Sequence, residues 1–189
     1  INALFGDLKV LHPRIVLLDE SIDDIFLTRV SRAALVDDLL HFGGHSYDSD
    51  FDSIVNEISN WCKENLLPGS FAVRSKKLGS GIENISRRDL EKEVGAVLFS
   101  EKNPVNLHDP DFEVVIIAAG EVEGEVHRDS LFTDPCIVWG IRENNWEKTN
   151  YIGRQPMERP FFKPISLEPR LAKLLISCIV QLKCFHLLD

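Results

Sequence analysis

The stretch "FEVVIIAAG", residues 112–120, constrains this chain more than any other. A strand with one wet face alternates apolar and polar residues. A near-continuous apolar run fits a strand buried on both faces, as in sheets with parallel neighbours and helical cover. The sequence supplies such helices. In "FDSIVNEISNWCKENL" (51–66), Phe51, Ile54, Val55, Ile58, Trp61, Cys62 and Leu66 recur at helical spacing, and Pro68-Gly69 ends the run. "SFAVRSKKL" (70–78) predicts a strand with Phe71 and Val73 facing in and Arg74 and Lys76 facing out. Ser86 is a good N-cap, with Asp89 three residues on, for a helix over "RRDLEKEVGAVLFSEK" (87–102) that buries Leu90, Val94, Val97 and Leu98. "PCIVWGIR" (135–142) predicts another strand. Together these elements define an α/β unit over residues 47–141.

The flanks are less regular. "RIVLLD" (14–19) reads as a strand, "ESIDDIFLTRVSRA" (20–33) as a helix with acids at its start, and "AALVDDLLHF" (33–42) as a second strand. "GGHSYDSD" (43–50) breaks the pattern and marks a boundary. Residues 1–46 therefore predict a small α+β unit, ferredoxin-like with its beginning missing. Residues 142–165 hold three of the nine prolines without periodicity and read as an ordered linker. Residues 167–182 place Leu167, Leu171, Leu174, Leu175, Cys178, Ile179 and Leu182 on one helical stripe, with Ser166 as cap and Pro169 in the first turn.

At 189 residues and 44% hydrophobic content, the chain suits one modest domain or two small ones. It has no apolar run long enough to span a membrane and no signal-like opening, so a cytoplasmic location is expected. The four cysteines, Cys62, Cys136, Cys178 and Cys184, contain no C-x-x-C pair and read as reduced, mostly buried thiols rather than a zinc site. His41 and His45 are separated by Gly43-Gly44, which argues against a shared metal. Asp48, Asp50 and Asp52 resemble the start of a calcium loop, but Ser53 and Ser59 stand where Gly and Glu are needed. No nucleotide-loop, zinc-protease or nucleophile-elbow motif occurs, so no catalytic, metal or cofactor residue is assigned.

Net charge is −9, which taken alone argues against nucleic acid. Its distribution argues otherwise. Residues 1–67 carry five Lys/Arg against twelve Asp/Glu, a net of −7, and residues 102–134 two against eight, a net of −6. Between them, residues 70–92 carry six (Arg74, Lys76, Lys77, Arg87, Arg88, Lys92) against three, a net of +3. Residues 142–173 carry seven against four, again +3. If the helix from 87 packs beside the strand from 70, the first group forms one basic surface able to contact a phosphate backbone without reading bases. "GSG" at 79–81 is either a plain loop or a backbone approach to phosphate.

The segment 70–116 resembles a THUMP domain. The resemblance lies in Phe71-Ala72-Val73-Arg74, the Glu93-Val94-Gly95 helix, the "VNLHDPD" turn (105–111) and the apolar strand after it. Residues 51–66 are similar to the helix that opens such domains, and the preceding segment to the ferredoxin-like domain that usually accompanies them. "RPFFKPISLEPRLAKLLISC" (159–178) is similar to the linker and first helix of archaeal tRNA guanine-N2 methyltransferases, and argues against THUMP-linked sulfur transfer. The implied organisation is a ferredoxin-like unit at 1–46, THUMP at 47–141, a linker at 142–165, and the start of a methyltransferase domain at 166–189. The resemblance implies binding of the tRNA acceptor region. The RNA-contact candidates are Arg74, Lys76, Lys77, Arg87, Arg88 and Lys92, followed by Arg142, Lys148, Arg154 and Arg159. S-adenosylmethionine is the cofactor expected of the parent family, but its binding loop and the target-amine motif do not occur in these residues. The chain alone is therefore expected not to transfer methyl groups. The alternative is a noncatalytic RNA-binding adaptor, self-associating or docking a partner through the 167–182 helix.

Overall fold

The computed structural model describes residues 8–19, 21–33, 36–121, 135–145 and 167–174. Their elements run β1 (Leu8–His12), β2 (Ile15–Leu18), α1 (Asp24–Arg32), β3 (Leu40–Ser46), α2 (Phe51–Asn65), β4 (Phe71–Leu78), α3 (Arg87–Leu98), β5 (Phe112–Ala119) and β6 (Cys136–Arg142). Residues 169–174 are also helical. Among the described residues, no helix is long and apolar enough to cross a membrane.

The apolar run 112–119 becomes β5, an inner strand of a four-stranded sheet ordered β3-β6-β5-β4. It pairs in parallel with β4, from Phe71–Phe112 to Leu78–Ala119, and antiparallel with β6, from Val114–Ile141 to Ala119–Cys136. Burial on both faces is observed, since every residue from Val114 to Ala119 is buried. On one face, α2 contributes Ile54, Val55, Ile58 and Cys62, and α3 contributes Leu90, Val94 and Leu98. They close over Phe71, Val73, Val114, Ile116, Ile137 and Trp139. Each fully buried Ile, Leu or Val removes enough apolar surface from water to contribute about 1.5–3 kcal/mol.

On the opposite face, the β1–β2 hairpin packs Leu11, Ile15 and Leu17 against Ala119, Cys136, Val138 and Leu78. His12 anchors it. Its Nδ1 accepts the Arg14 backbone N–H at 3.2 Å, so Nε2 carries the proton and donates to the Gly120 carbonyl at 2.9 Å. Strand β1 has no counterpart in the sequence reading, whereas β2 and α1 lie where expected.

Two expectations about this end of the chain are corrected. The second strand, expected over 33–42, spans Leu40–Ser46, and it pairs antiparallel with β6 rather than with its N-terminal neighbours. Gly43-Gly44, read as a break, lies inside this strand at a bulge between Phe42 and Gly44. A Cβ at Gly44 would stand 2.5 Å from Trp139 Cζ2, and one at Gly43 2.9 Å from Trp61 Cε2. The glycines let two indoles lie against the strand, a packing that single-sequence periodicity does not encode.

Helix boundaries follow local chemistry. Asp50 caps α2, accepting from the Ser53 N–H, and Asp48 accepts from the Asp50 N–H, so the acidic triplet builds a helix start. Ser86 caps α3 as expected, but the helix stops at Leu98 instead of continuing to 102. The C-terminal helical residues begin at Pro169. There Glu168 accepts the Leu171 N–H at 3.1 Å through its side chain and the Ala172 N–H at 3.0 Å through its carbonyl, in the role expected of Ser166. Residues 175–182 of the expected helix, 146–165 of the expected linker and the expected cap Ser166 lie outside the described residues.

Backbone contacts divide the chain into two compact units. The first, Ile1–Glu20 with Leu40–Asn144, contains the sheet, the hairpin, α2 and α3. The second, Ser21–Leu39 with Asn145–Asp189, contains α1 and the helical residues 169–174, and within it Arg170 reaches Asp37 at 3.3 Å.

Candidate nucleic-acid interface

β4 is an edge strand, and α3 runs back alongside it. A Cβ at Gly95 would stand 3.9 Å from Val73 Cγ2, and Glu91 Oε1 accepts the Ser75 backbone N–H at 2.7 Å. Four helical residues rise about 6 Å, close to the span of two strand residues. One further turn at the same spacing puts the backbone of Arg87–Arg88 at about the level of Lys77. The condition set by the sequence, that the helix packs beside the strand, is thus met. Arg87, Arg88, Lys77 and Lys92 are all exposed. Among the described residues Lys92 pairs with Glu93 at 3.1 Å, whereas Lys77, Arg87 and Arg88 make no ion pair. Two arginines in the first turn oppose the helix dipole, at about 0.3–1 kcal/mol each. Helix stability therefore does not account for them.

Arg74 and Lys76 point to the other sheet face, the face of Ala72, which is fully buried. The alternation expected of β4 therefore fails at its start, where both faces are covered. Arg74 does not project freely. Its Nε donates to Glu113 Oε1 at 3.3 Å and its Nη2 to the Leu107 carbonyl at 2.5 Å. Arg142 Nη1 donates to the other oxygen, Glu113 Oε2. Two candidates from distant parts of the sequence thus share one carboxylate, which the sequence reading missed. Lys148, Arg154 and Arg159 lie outside the described residues.

The motif residues act as staples. Asn106 Oδ1 accepts from the N–H groups of His108 and Asp109, its backbone N–H bonds Phe71 O at 2.9 Å, and Val105 bridges Phe71. Asp111 Oδ2 accepts from the Ser70 hydroxyl at 2.7 Å and the Ser70 N–H at 2.6 Å. These hydrogen bonds, the hydroxyl first, hold its carboxyl below the usual carboxylate range. The "GSG" loop is also structural. Ser80 N–H bonds Glu121 O at 2.7 Å and Gly81 N–H bonds Leu78 O at 3.2 Å, which directs both donors inward. Gly79 and Gly81 take φ of 60° and 75°, where a side chain is disfavoured.

Other candidates resolve into packing. His41 Nε2 meets Glu143 Oε2 at 2.7 Å, and His45 stands edge-on to Tyr47 with centroids 5.4 Å apart. Cys62 and Cys136 are free buried thiols, and burial pushes Cys62 up to about 12. Cys178 and Cys184 lie outside the described residues.

A four-stranded mixed sheet with two helices on one face, and with exposed cations on β4 and at the start of α3, defines an α/β module. Residues 48–120 match the THUMP domain model, and the sheet extends beyond the matched interval to β3 and β6. The chain is 25% identical over 115 residues to the tRNA (guanine(10)-N2)-dimethyltransferase of Pyrococcus abyssi, covering 60% of this chain and 30% of that protein. It is 30% identical over 83 residues to a probable tRNA sulfurtransferase of Saccharolobus islandicus, covering 44% of this chain and 22% of that protein. The chain thus spans less than a third of the length of these relatives. Its fold resembles the crystal structure of TrmN from Thermus thermophilus, with a TM-score of 0.52 at 17% identity, over 86% of this chain and 43% of that one.

Proposed function

We propose that this chain is the tRNA-binding N-terminal region of an S-adenosylmethionine-dependent, cytoplasmic tRNA guanine-N2 methyltransferase. The cationic edge formed by Lys77, Arg87 and Arg88 in a chain of net charge −9 carries the reading. Concentrated positive charge at one place is what binding to a phosphate backbone requires. Lys77, Arg87, Arg88 and Lys92 contact phosphates of the acceptor region on one side of β4, and Arg74, Lys76 and Arg142 extend the contact on the other. Lys148, Arg154 and Arg159 add contacts from the linker. These contacts set register without reading sequence, so the module positions a target base held elsewhere.

The methyltransferase assignment is supported by the 159–178 segment and by the alignment over 60% of the chain to a guanine-N2 dimethyltransferase. A sulfurtransferase context is the second reading, favoured by the 30% identity over the shorter stretch. Residues 166–189 begin the methyltransferase domain, and no described residue is assigned to the methyl donor.

Filter binding of this chain to tRNA over a salt series tests RNA binding. Affinity should fall steeply as salt rises, and no measurable binding at low salt contradicts the proposal. A polypeptide extending beyond Asp189 should transfer labelled methyl from S-adenosylmethionine to guanine N2. Sulfur incorporation instead would favour the second reading. A binding-competent chain that recruits a separate protein through residues 167–182 would favour an adaptor.

A further inference from the structure

We infer that Glu113 is a positioning residue that orders Arg74 and Arg142 as one phosphate-binding pair on the sheet face opposite α2 and α3. The inference rests on the RNA-binding reading above. Arg74 approaches one oxygen of Glu113 and Arg142 the other. Strand register brings them together. Glu113 pairs with Ala72 on β4, two residues before Arg74, and on β6 it lies one step beyond the Val114–Ile141 pair, which brings it to Arg142. Arg74 is also held by the Leu107 carbonyl on the "VNLHDPD" turn.

The order of exposure shows which charge faces solvent. The side chain of Glu113 is 16% exposed, against 38% for Arg74 and 27% for Arg142. The carboxylate is the least exposed of the three and Arg74 the most, while Arg142 keeps its Nε buried. A carboxylate neutralising a surface cation lies beside it, as Glu93 lies beside Lys92, with side chains 46% and 75% exposed. Here one less exposed carboxylate bonds two cations instead, fixing long side chains whose ordering would otherwise be charged against binding. Guanidinium forks recognise phosphate oxygens through directional N–H bonds, so fixed orientation raises affinity where a loose cation would not. Lys76, two residues beyond Arg74 on β4, extends the same row.

Two accounts of Glu113 predict opposite signs. If it merely quenches positive charge, Glu113→Gln makes the surface more basic, tightens tRNA binding and steepens the salt dependence. If it positions the arginines, Glu113→Gln weakens binding about two- to ten-fold, on the order of the cost of ordering one long side chain, without a steeper salt slope. Glu113→Asp should retain part of the affinity. Filter binding of wild type, Glu113→Gln and Glu113→Asp to tRNA over a salt series decides between them, with urea unfolding as the fold control. Equal or tighter binding by a folded Glu113→Gln overturns the inference. Should Glu113→Gln fail to fold, Arg74→Lys carries the test, because it keeps the charge and removes the fork. Weaker binding by Arg74→Lys is expected, and unchanged binding overturns the inference. Wild type that does not bind tRNA overturns the RNA-binding reading itself, whereas binding wild type with a tighter Glu113→Gln overturns this inference alone.

Discussion

Glu91 Oε1 accepts the backbone N–H of Ser75 at 2.7 Å, which ties α3 to the open edge of the sheet. An edge strand presents unpaired N–H groups that invite another chain. Here a side chain from the packed helix takes one of them. Glu91→Ala should therefore destabilise the fold by about 1–3 kcal/mol, the cost of a buried donor left without its acceptor. Glu91→Gln, which keeps a carbonyl oxygen, should cost less. Urea unfolding measures both, and an unchanged midpoint for Glu91→Ala would contradict the role.

The glycines of β3 predict a second effect. Gly44→Ala places a methyl group 2.5 Å from Trp139 Cζ2, which must move. Overpacking of this kind costs about 1–3 kcal/mol. A lower thermal midpoint with altered near-ultraviolet dichroism of tryptophan is expected.

Asp111 predicts a pH dependence with a definite sign. The Ser70 hydroxyl and N–H depress its folded pKa below the ordinary value of 3.8. Its contribution to stability is thus complete above that value and is lost as pH falls through the lower, folded value. Asp111→Asn should be less stable than wild type at neutral pH, and the gap should narrow only below pH 3.8. Unfolding curves at neutral and strongly acid pH check this, and a gap independent of pH would contradict it.

Cys62 predicts chemical silence. Burial raises its thiol to about 12, so almost no thiolate exists near neutral pH. Iodoacetamide should leave Cys62 and Cys136 unmodified in the native protein and label both in urea, as read by peptide mass spectrometry.

Much of the sheet was legible because its elements carry local signals. The apolar run of β5, the helical spacing of Ile54, Val55, Ile58 and Cys62, and the Ser86 cap each declare themselves within a few residues. What escaped is set by distant partners. Gly43-Gly44 reads as a turn until Trp139, almost a hundred positions away, lies on it. The β1 strand is short, and its anchor is His12 on Gly120. In the candidate site, the packing of α3 beside β4 was foreseeable from a helix start that follows a strand. The capture of Arg74 by Glu113 was not, because strand register decides it, and register is not written in one strand alone.

The central claim, that the β4–α3 edge binds the tRNA backbone, is tested most directly by comparing wild type with the Arg87→Glu/Arg88→Glu double variant. The measurement is the tRNA dissociation constant from about 50 to 200 mM salt. Both side chains are exposed and outside the core, and acids in the first turn of α3 suit its dipole, so the variant should unfold at a urea concentration no lower than wild type. The account predicts weaker binding to all tRNAs alike, with the slope of log affinity against log salt reduced by about two. A folded double variant with the affinity and salt slope of wild type would contradict it.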